Sequence, residues 1–273
     1  MTVFLLMLGM LFGQGFEDTE VFFREAREVH VPVIMYHLVT EKPGQVGKYG
    51  IRPGEMEADL VFLRDNGYVT VFMQDLIDFV EEGRPLPEKP IVLSFDDGNF
   101  SDYLYLLSLF VEYDMKAVLA VTGKFADDSS KKFAENPKLR YPNTTWAQVK
   151  ELHDSGHFEI QNHSHNLHSK GGSGEKRGEA VADYHSRLAA DLQKLQDLCQ
   201  QHIGVAPTTF VYPLGVIGKD SRRVLEDLGM KASLSCFEGK NMLRKGDRDA
   251  LFEMHRFNRP SGTTVKAILD RIK

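Results

Sequence analysis

Two adjacent carboxylates and a cluster of three histidines are the residues of this chain best suited to chemistry. The carboxylates lie in Ser94-Phe95-Asp96-Asp97-Gly98, directly after an apolar run that starts at Pro90, and Gly98 lets the chain turn away. Desolvation and mutual repulsion both oppose double ionisation of such a pair, so it calls for a cation, an arginine or a shared proton. The same three residues would also serve as a helix N-cap followed by a first-turn acid, and the motif alone does not separate these roles. The histidines are His163, His165 and His168, again just past an apolar stretch, residues 158–161. Neutral imidazole is the commonest metal ligand at physiological pH. His163 and His168 can converge from a tight turn after a strand, with Ser164 and Asn166 between them holding the rings by hydrogen bonds. His165 should point away from both and reads as a rim or packing histidine.

A third stretch ends in Tyr212-Pro213-Leu214-Gly215, a rigid turn able to aim a backbone N–H at a developing oxyanion. Alone, it is also an ordinary loop sequence. Position joins the three: His37, Asp96 with Asp97, His163 with His168, and Tyr212 each follow the carboxyl end of a predicted strand. In parallel α/β folds that end carries the active site.

The elements that must hold these residues alternate along the chain. Strands are predicted at residues 31–36, 69–72, 90–95, 117–121, 158–161, 209–212 and 232–235, from short apolar runs bounded by turn residues. Helices are predicted at 53–66, 74–82, 145–154, 187–202 and 221–228; the first places Met56, Leu60 and Leu63 on one face and stops at Gly67. Roughly seven strand–helix units point to a parallel sheet, closed as a barrel or open and doubly wound. Residues 127–143 and 169–178 read as surface loops, the second a candidate rim beside the histidines. Trp146, the one tryptophan, reads as a core or helix-start residue rather than a sugar platform.

With 273 residues, 42% of them hydrophobic, the chain can bury the core of one large domain. A net charge of -6, with no Lys/Arg run longer than a pair, excludes the electrostatic footprint of a nucleic-acid binder. Cys199 and Cys236 have neither zinc-ligand spacing nor disulfide-scaffold density, and read as free packing thiols. Residues 3–12 form an apolar run of export-signal core length, too short to span a bilayer comfortably. No basic residue precedes it and no small-x-small site follows, so a segment docked on the domain is the competing reading. The expectation is a secreted or cell-envelope protein, cytoplasmic if the run is no signal, with membrane contact only through residues 3–12.

These motifs resemble the polysaccharide deacetylase family, the NodB-homology domain of carbohydrate esterase family 4. Its Thr/Ser-Phe-Asp-Asp-Gly motif is matched by Ser94 to Gly98, and its His-Ser/Thr motif with a later second histidine by His163-Ser164 and His168. The step between those histidines is similar to that of poly-N-acetylglucosamine deacetylases. The resemblance runs from about Val31 to the C-terminus and includes Met35-Tyr36-His37, Thr145-Trp146, the Tyr212 turn and Arg256-Phe257-Asn258.

The resemblance implies an α/β fold, a distorted (β/α) barrel of about seven parallel strands, with residues 29–273 as a single catalytic domain after a segment 1–28. It implies one divalent metal ion held by Asp97, His163 and His168, zinc first, with cobalt, nickel or iron(II) also suited. It casts Asp96 as the base and the Tyr212 N–H as an oxyanion donor. The implied substrate is an N-acetylated β-linked hexosamine polysaccharide, such as peptidoglycan, poly-N-acetylglucosamine or a chitin-like polymer; a glycan O-acetyl ester hydrolase and a non-catalytic glycan-binding relative are the alternatives. Two family features are missing. No arginine precedes the Tyr212 turn to pair with the base, which makes Arg256 the candidate substitute. No C-terminal Leu-x-x-His supplies an acid; the resembled branch instead takes its acid histidine from the first strand, which implies His37 here, with His255 an outsider.

Overall fold

Segments such as Ile91 to Leu93 and residues 117–121 are apolar without alternation, the pattern of parallel strands covered on both faces. The computed structural model describes residues 28–138 and 141–272. The apolar run 3–12 and the connector up to residue 27 lie outside the described residues. Eight strands make the main sheet: β1 Val33–Tyr36, β2 Val69–Thr70, β3 Pro90–Asp97, β4 Ala117–Val121, β5 Phe158–Asn162, β6 Thr209–Val211, β7 Ala232–Leu234 and β8 Phe257–Asn258. Seven follow one path, β7-β6-β5-β4-β3-β1-β8, parallel throughout, while β2 pairs with the start of β3. The sheet curls until its ends meet. Leu234 bridges to Met254, and Ser235 N–H donates to Met254 O at 2.9 Å. The expected distorted barrel of parallel strands is the observed architecture.

Strand alternation decides which side chains face inward. Val33, Val92, Val118, Ala120 and Val211 share one apolar cluster, while Ile34, Leu93, Phe95, Leu119 and Val121 belong to another beneath the outer helices. Ser94 and Asp96 follow the parity of Val92, so they look to the same side as Ala120. Register sets Asp97 beside Val121 and Val121 beside Asn162, which brings the end of β3 level with the residue before His163.

The helices are α1 Pro53–Asp65, α2 Met73–Glu82, α3 Leu107–Glu112, α4 Gly123–Glu135, α5 Trp146–Asp154, α6 Val181–Ile203, α7 Ser221–Asp227 and α8 Val265–Ile272. Thr145 opens α5 with a reciprocal cap: its Oγ1 accepts from Gln148 N–H while its own N–H donates to Gln148 Oε1. Trp146 is buried and its Nε1 donates to Asp127, which fits the core reading. The predicted loop 127–143 is corrected, since α4 is helical to Glu135. Its buried stripe is only Gly123, Ala126 and Ser129, so the surrounding charges hid a helix that docks through small side chains. Among the described residues no helix is long and apolar enough to cross a membrane.

Candidate active site

Three of the strand ends supply the centre. At the end of β3 the chain breaks alternation: Asp97 has φ 80° and Gly98 φ 70°, a left-handed pair that Asp and Gly tolerate better than bulkier residues. This swings the Asp97 carboxylate toward the loop after β5, where Ser164 is also left-handed at φ 69°. Asp97 Oδ1 lies 3.0 Å from His168 Nε2 and 3.5 Å from His163 Nε2. The three ligand atoms are within 4.8 Å of one another. Asp97 Oδ1 is nevertheless buried without a properly aligned hydrogen-bond donor. Donor atoms that converge without satisfying one another fit a cation between them, and one carboxylate with two imidazoles is a sound donor set for a divalent metal.

Surrounding groups fix the rings. His163 Nδ1 donates to Val211 O at 2.8 Å, which turns Nε2 toward Asp97. Asn162 Oδ1 accepts from Ser164 N–H at 2.8 Å, and Asp191 accepts from His165 N–H at 2.7 Å and Asn166 N–H at 3.0 Å. Those bonds hold the loop that presents His168. Burial alone would raise the Asp97 pKa, but the two imidazoles outweigh it and hold the carboxyl well below its ordinary range. The carboxylate in turn raises His168 above the usual imidazole value.

Asp96 points the other way, into the barrel, and meets Arg256. The guanidinium makes two bonds to it, Nη1 to Oδ1 at 2.7 Å and Nη2 to Oδ2 at 2.9 Å, with both side chains buried. Arg256 also donates to Ser94 Oγ and to Ser235 O, so the clamp is itself held at both ends. Burial would push Asp96 up, yet Arg256 first, and then His163 and His37, keep it below the ordinary carboxylate range. Asp96 is therefore ionised at neutral pH. His37 Nε2 stands 3.9 Å from Asp96 Oδ2, and its ring packs on Tyr49. Burial lowers the His37 pKa against the opposing pull of Asp96 and Asp97. His37, Asp96, Asp97, His163 and His168 all line one cleft of about 770 Å³.

Residues 83–233 match the family model for polysaccharide deacetylase. The chain belongs to the polysaccharide deacetylase family. It is 28% identical over 216 residues to the poly-beta-1,6-N-acetyl-D-glucosamine N-deacetylase of Escherichia coli strain K12, which covers 72% of this chain and 32% of that protein. The chain thus spans about a third of that relative's length. Among solved structures, a de-N-acetylase from Aggregatibacter actinomycetemcomitans superposes with a TM-score of 0.74 at 26% identity, covering 89% of this chain and 99% of the other. The deacetylase domain of BpsB from Bordetella bronchiseptica gives a TM-score of 0.67 at 25% identity, covering 88% and 98%.

In this member of the family the arginine beside Asp96 comes from just before β8, where Arg256 takes the inward position. Its neighbour His255 packs instead on Gly239 and is absent from the cleft lining. The role expected of Tyr212 is corrected. Its N–H donates to Leu234 O at 3.0 Å in the sheet ladder, so it is not open to an oxyanion, and its buried hydroxyl pairs with Ser221 Oγ at 2.8 Å. Leu214, at φ 57°, is the residue of that turn that lines the cleft. His165 turns away as read from its spacing, with Nε2 3.1 Å from Asp127 Oδ2. Sequence reasoning did not single out Asp191 or Asn162, because a polar residue on a long helix or at a strand end carries no local signal of its partner. Cys199 and Cys236 are free thiols.

Proposed function

We propose that this domain removes N-acetyl groups from a β-linked N-acetylhexosamine polysaccharide, using one divalent metal ion held by Asp97, His163 and His168. One observation supports the reading above the rest: three donor atoms within 4.8 Å of one another stand beside a carboxylate clamped by a buried arginine. The donor set leaves coordination positions open and suits zinc first, then cobalt, nickel or iron(II). Such an ion supplies Lewis acidity, lowering the pKa of water toward about 7 and polarising the acetamide carbonyl. The named E. coli relative favours a β-1,6-linked polymer as substrate.

The protein's own groups carry the protons. Asp96, kept ionised and immobile by Arg256, accepts one proton from the water whose oxygen adds to the acetyl carbon. As the carbon–nitrogen bond breaks, His37 passes to the leaving nitrogen the proton that Asp96 has taken, so water and amide become acetic acid and free amine. The 3.9 Å between His37 Nε2 and Asp96 Oδ2 keeps donor and acceptor on one side of the cleft, where a proton taken by one can be returned to the other.

The test is acetate release from N-acetylglucosamine oligomers of β-1,6 and β-1,4 linkage and from peptidoglycan. Zinc- or cobalt-loaded protein should release acetate and chelator-treated protein should not. No release from any of these by the loaded protein contradicts the proposal.

A further inference from the structure

His165 stands in the chain between the candidate ligands His163 and His168, turned out of the cleft, yet it is only 6% exposed. Its ring fills a slot against the first turn of α4. A Cβ built on Gly123 would stand 2.9 Å from His165 Cδ2, closer than such atoms approach, so the slot exists because that position is glycine. Beyond it, His165 Nε2 donates to Asp127 Oδ2 at 3.1 Å, and the other oxygen of the same carboxylate accepts from Trp146 Nε1 at 2.8 Å. The Trp146 indole is buried and stacks on His202 of α6, with centroids 4.8 Å apart and the planes 8° from parallel. Asp127 thus joins the histidine loop to α5 and, through the indole, to α6.

We propose that Asp127 is a positioning residue for the metal centre, acting through the His165 ring, an inference that rests on the metal reading above. The main chain makes the same connection. The first N–H groups of a helix have no partner within it, and those of α4 find theirs on the loop: Gly123 N–H donates to Ser164 O at 3.1 Å and Lys124 N–H to His165 O at 2.8 Å. Gly123 and Asp127 are four residues apart, on one face of α4, so the helix meets the loop with its N-terminus, a slot for the ring and a carboxylate beyond it.

Other bonds hold the loop's amides. Ser164 N–H donates to Asn162 Oδ1, His165 and Asn166 N–H to Asp191, and Leu167 N–H to Ser164 Oγ. They tie the backbone to β5 and α6, and the His165 ring adds a hold on α4. Two imidazoles bind one ion well only while their separation is fixed, and groups that orient ligands contribute about 10–100-fold to metal affinity. A histidine that only fills space would stabilise the fold and leave that affinity alone.

The experiment compares Asp127→Ala, Asp127→Asn and Gly123→Ala with wild type by zinc affinity in chelator competition, by urea unfolding of the metal-free protein, and by amide hydrogen exchange at residues 164–167. Asp127→Ala removes both bonds, Asp127→Asn keeps an oxygen for the indole, and Gly123→Ala displaces the ring without touching the carboxylate. Zinc affinity should fall on the order of tenfold in Asp127→Ala and in Gly123→Ala, and less in Asp127→Asn. Exchange at 164–167 should quicken in the same order. Alanine favours a helix over glycine, so weaker binding in Gly123→Ala cannot come from a weaker α4. Unchanged zinc affinity in Asp127→Ala, with or without a loss of stability, assigns His165 to packing and overturns the proposal. Absence of zinc binding by the wild type contradicts the metal reading itself; quickened exchange in the metal-free variants then upholds the tether, and unchanged exchange overturns it as well.

Discussion

Arg256 and Asp96, 160 positions apart in the chain, meet as a buried bidentate pair with N–O distances of 2.7 and 2.9 Å. The barrel makes this pairing by closing β8 against β1, with Arg256 just before β8 and Asp96 near the end of β3.

Removing one partner of such a pair leaves a buried uncompensated charge, at a cost of roughly 3–5 kcal/mol. Arg256→Met should therefore destabilise the domain by about that much in urea unfolding and abolish turnover, because Asp96 would take up a proton near neutrality. The double variant Asp96→Asn/Arg256→Met should recover most of the stability and none of the activity. A single Arg256→Met with wild-type stability would show that the pair is not the clamp described.

His168 sets the pH dependence of metal binding. Asp97 raises its folded pKa above 6.5, and the ligand atom must lose its proton before it can bind an ion. Below that raised pKa, metal affinity should climb about tenfold per pH unit, then level off. The metal-free protein should show the opposite sign. The His168–Asp97 contact contributes its full stability below the unfolded value of 6.5 and loses it as pH rises through the higher folded value. Competition titrations and chelated thermal melts across pH 5–9 read both; parallel trends, or no loss of either in His168→Ala, would contradict this account.

Asp191 acts on the centre only through backbone. Its two oxygens accept from His165 and Asn166 N–H, and those bonds hold the segment leading to His168. Asp191→Ala should weaken metal binding by about 10–100-fold with the fold retained, as for other groups that orient ligands. Asp191→Asn, which keeps one acceptor oxygen, should fall between. Unchanged affinity in both variants would remove Asp191 from the site.

His37 should matter more to amides than to esters, because an amine leaving group needs the proton that an alkoxide can largely do without. His37→Ala is expected to lower kcat on an N-acetyl substrate by about 10²–10⁴ and to lower it far less on an O-acetyl ester of the same sugar. KM should move little on either. Equal losses on both substrates would assign His37 a structural role.

Much of this was legible in the sequence because the informative residues lie where apolar runs end. Asp96, Asp97, His163 and His168 all follow such runs, and strand-to-helix rhythm predicts the parallel sheet that gathers those ends. Helix α4 was hidden because its buried stripe is made of Gly123, Ala126 and Ser129, which carry almost no hydrophobic signal amid lysines and aspartates.

The long-range partnerships were harder to see. Asp191 lies in the middle of α6, and nothing nearby in sequence announces that its oxygens cap the His165 turn. The Tyr212 expectation failed for a related reason: a turn motif does not reveal whether its N–H is already taken by the neighbouring strand. Here Leu234 O takes it. Arg256 was approachable only through the absence of an arginine elsewhere.

The site divides into ligands and a base, and one paired measurement tests that division. Bound metal and acetate release are determined side by side for Asp96→Asn and His163→Ala. Asp96→Asn should keep the ion at wild-type stoichiometry yet release no acetate, while His163→Ala should lose both. Equal loss of metal in the two variants, or turnover surviving in Asp96→Asn, would contradict it.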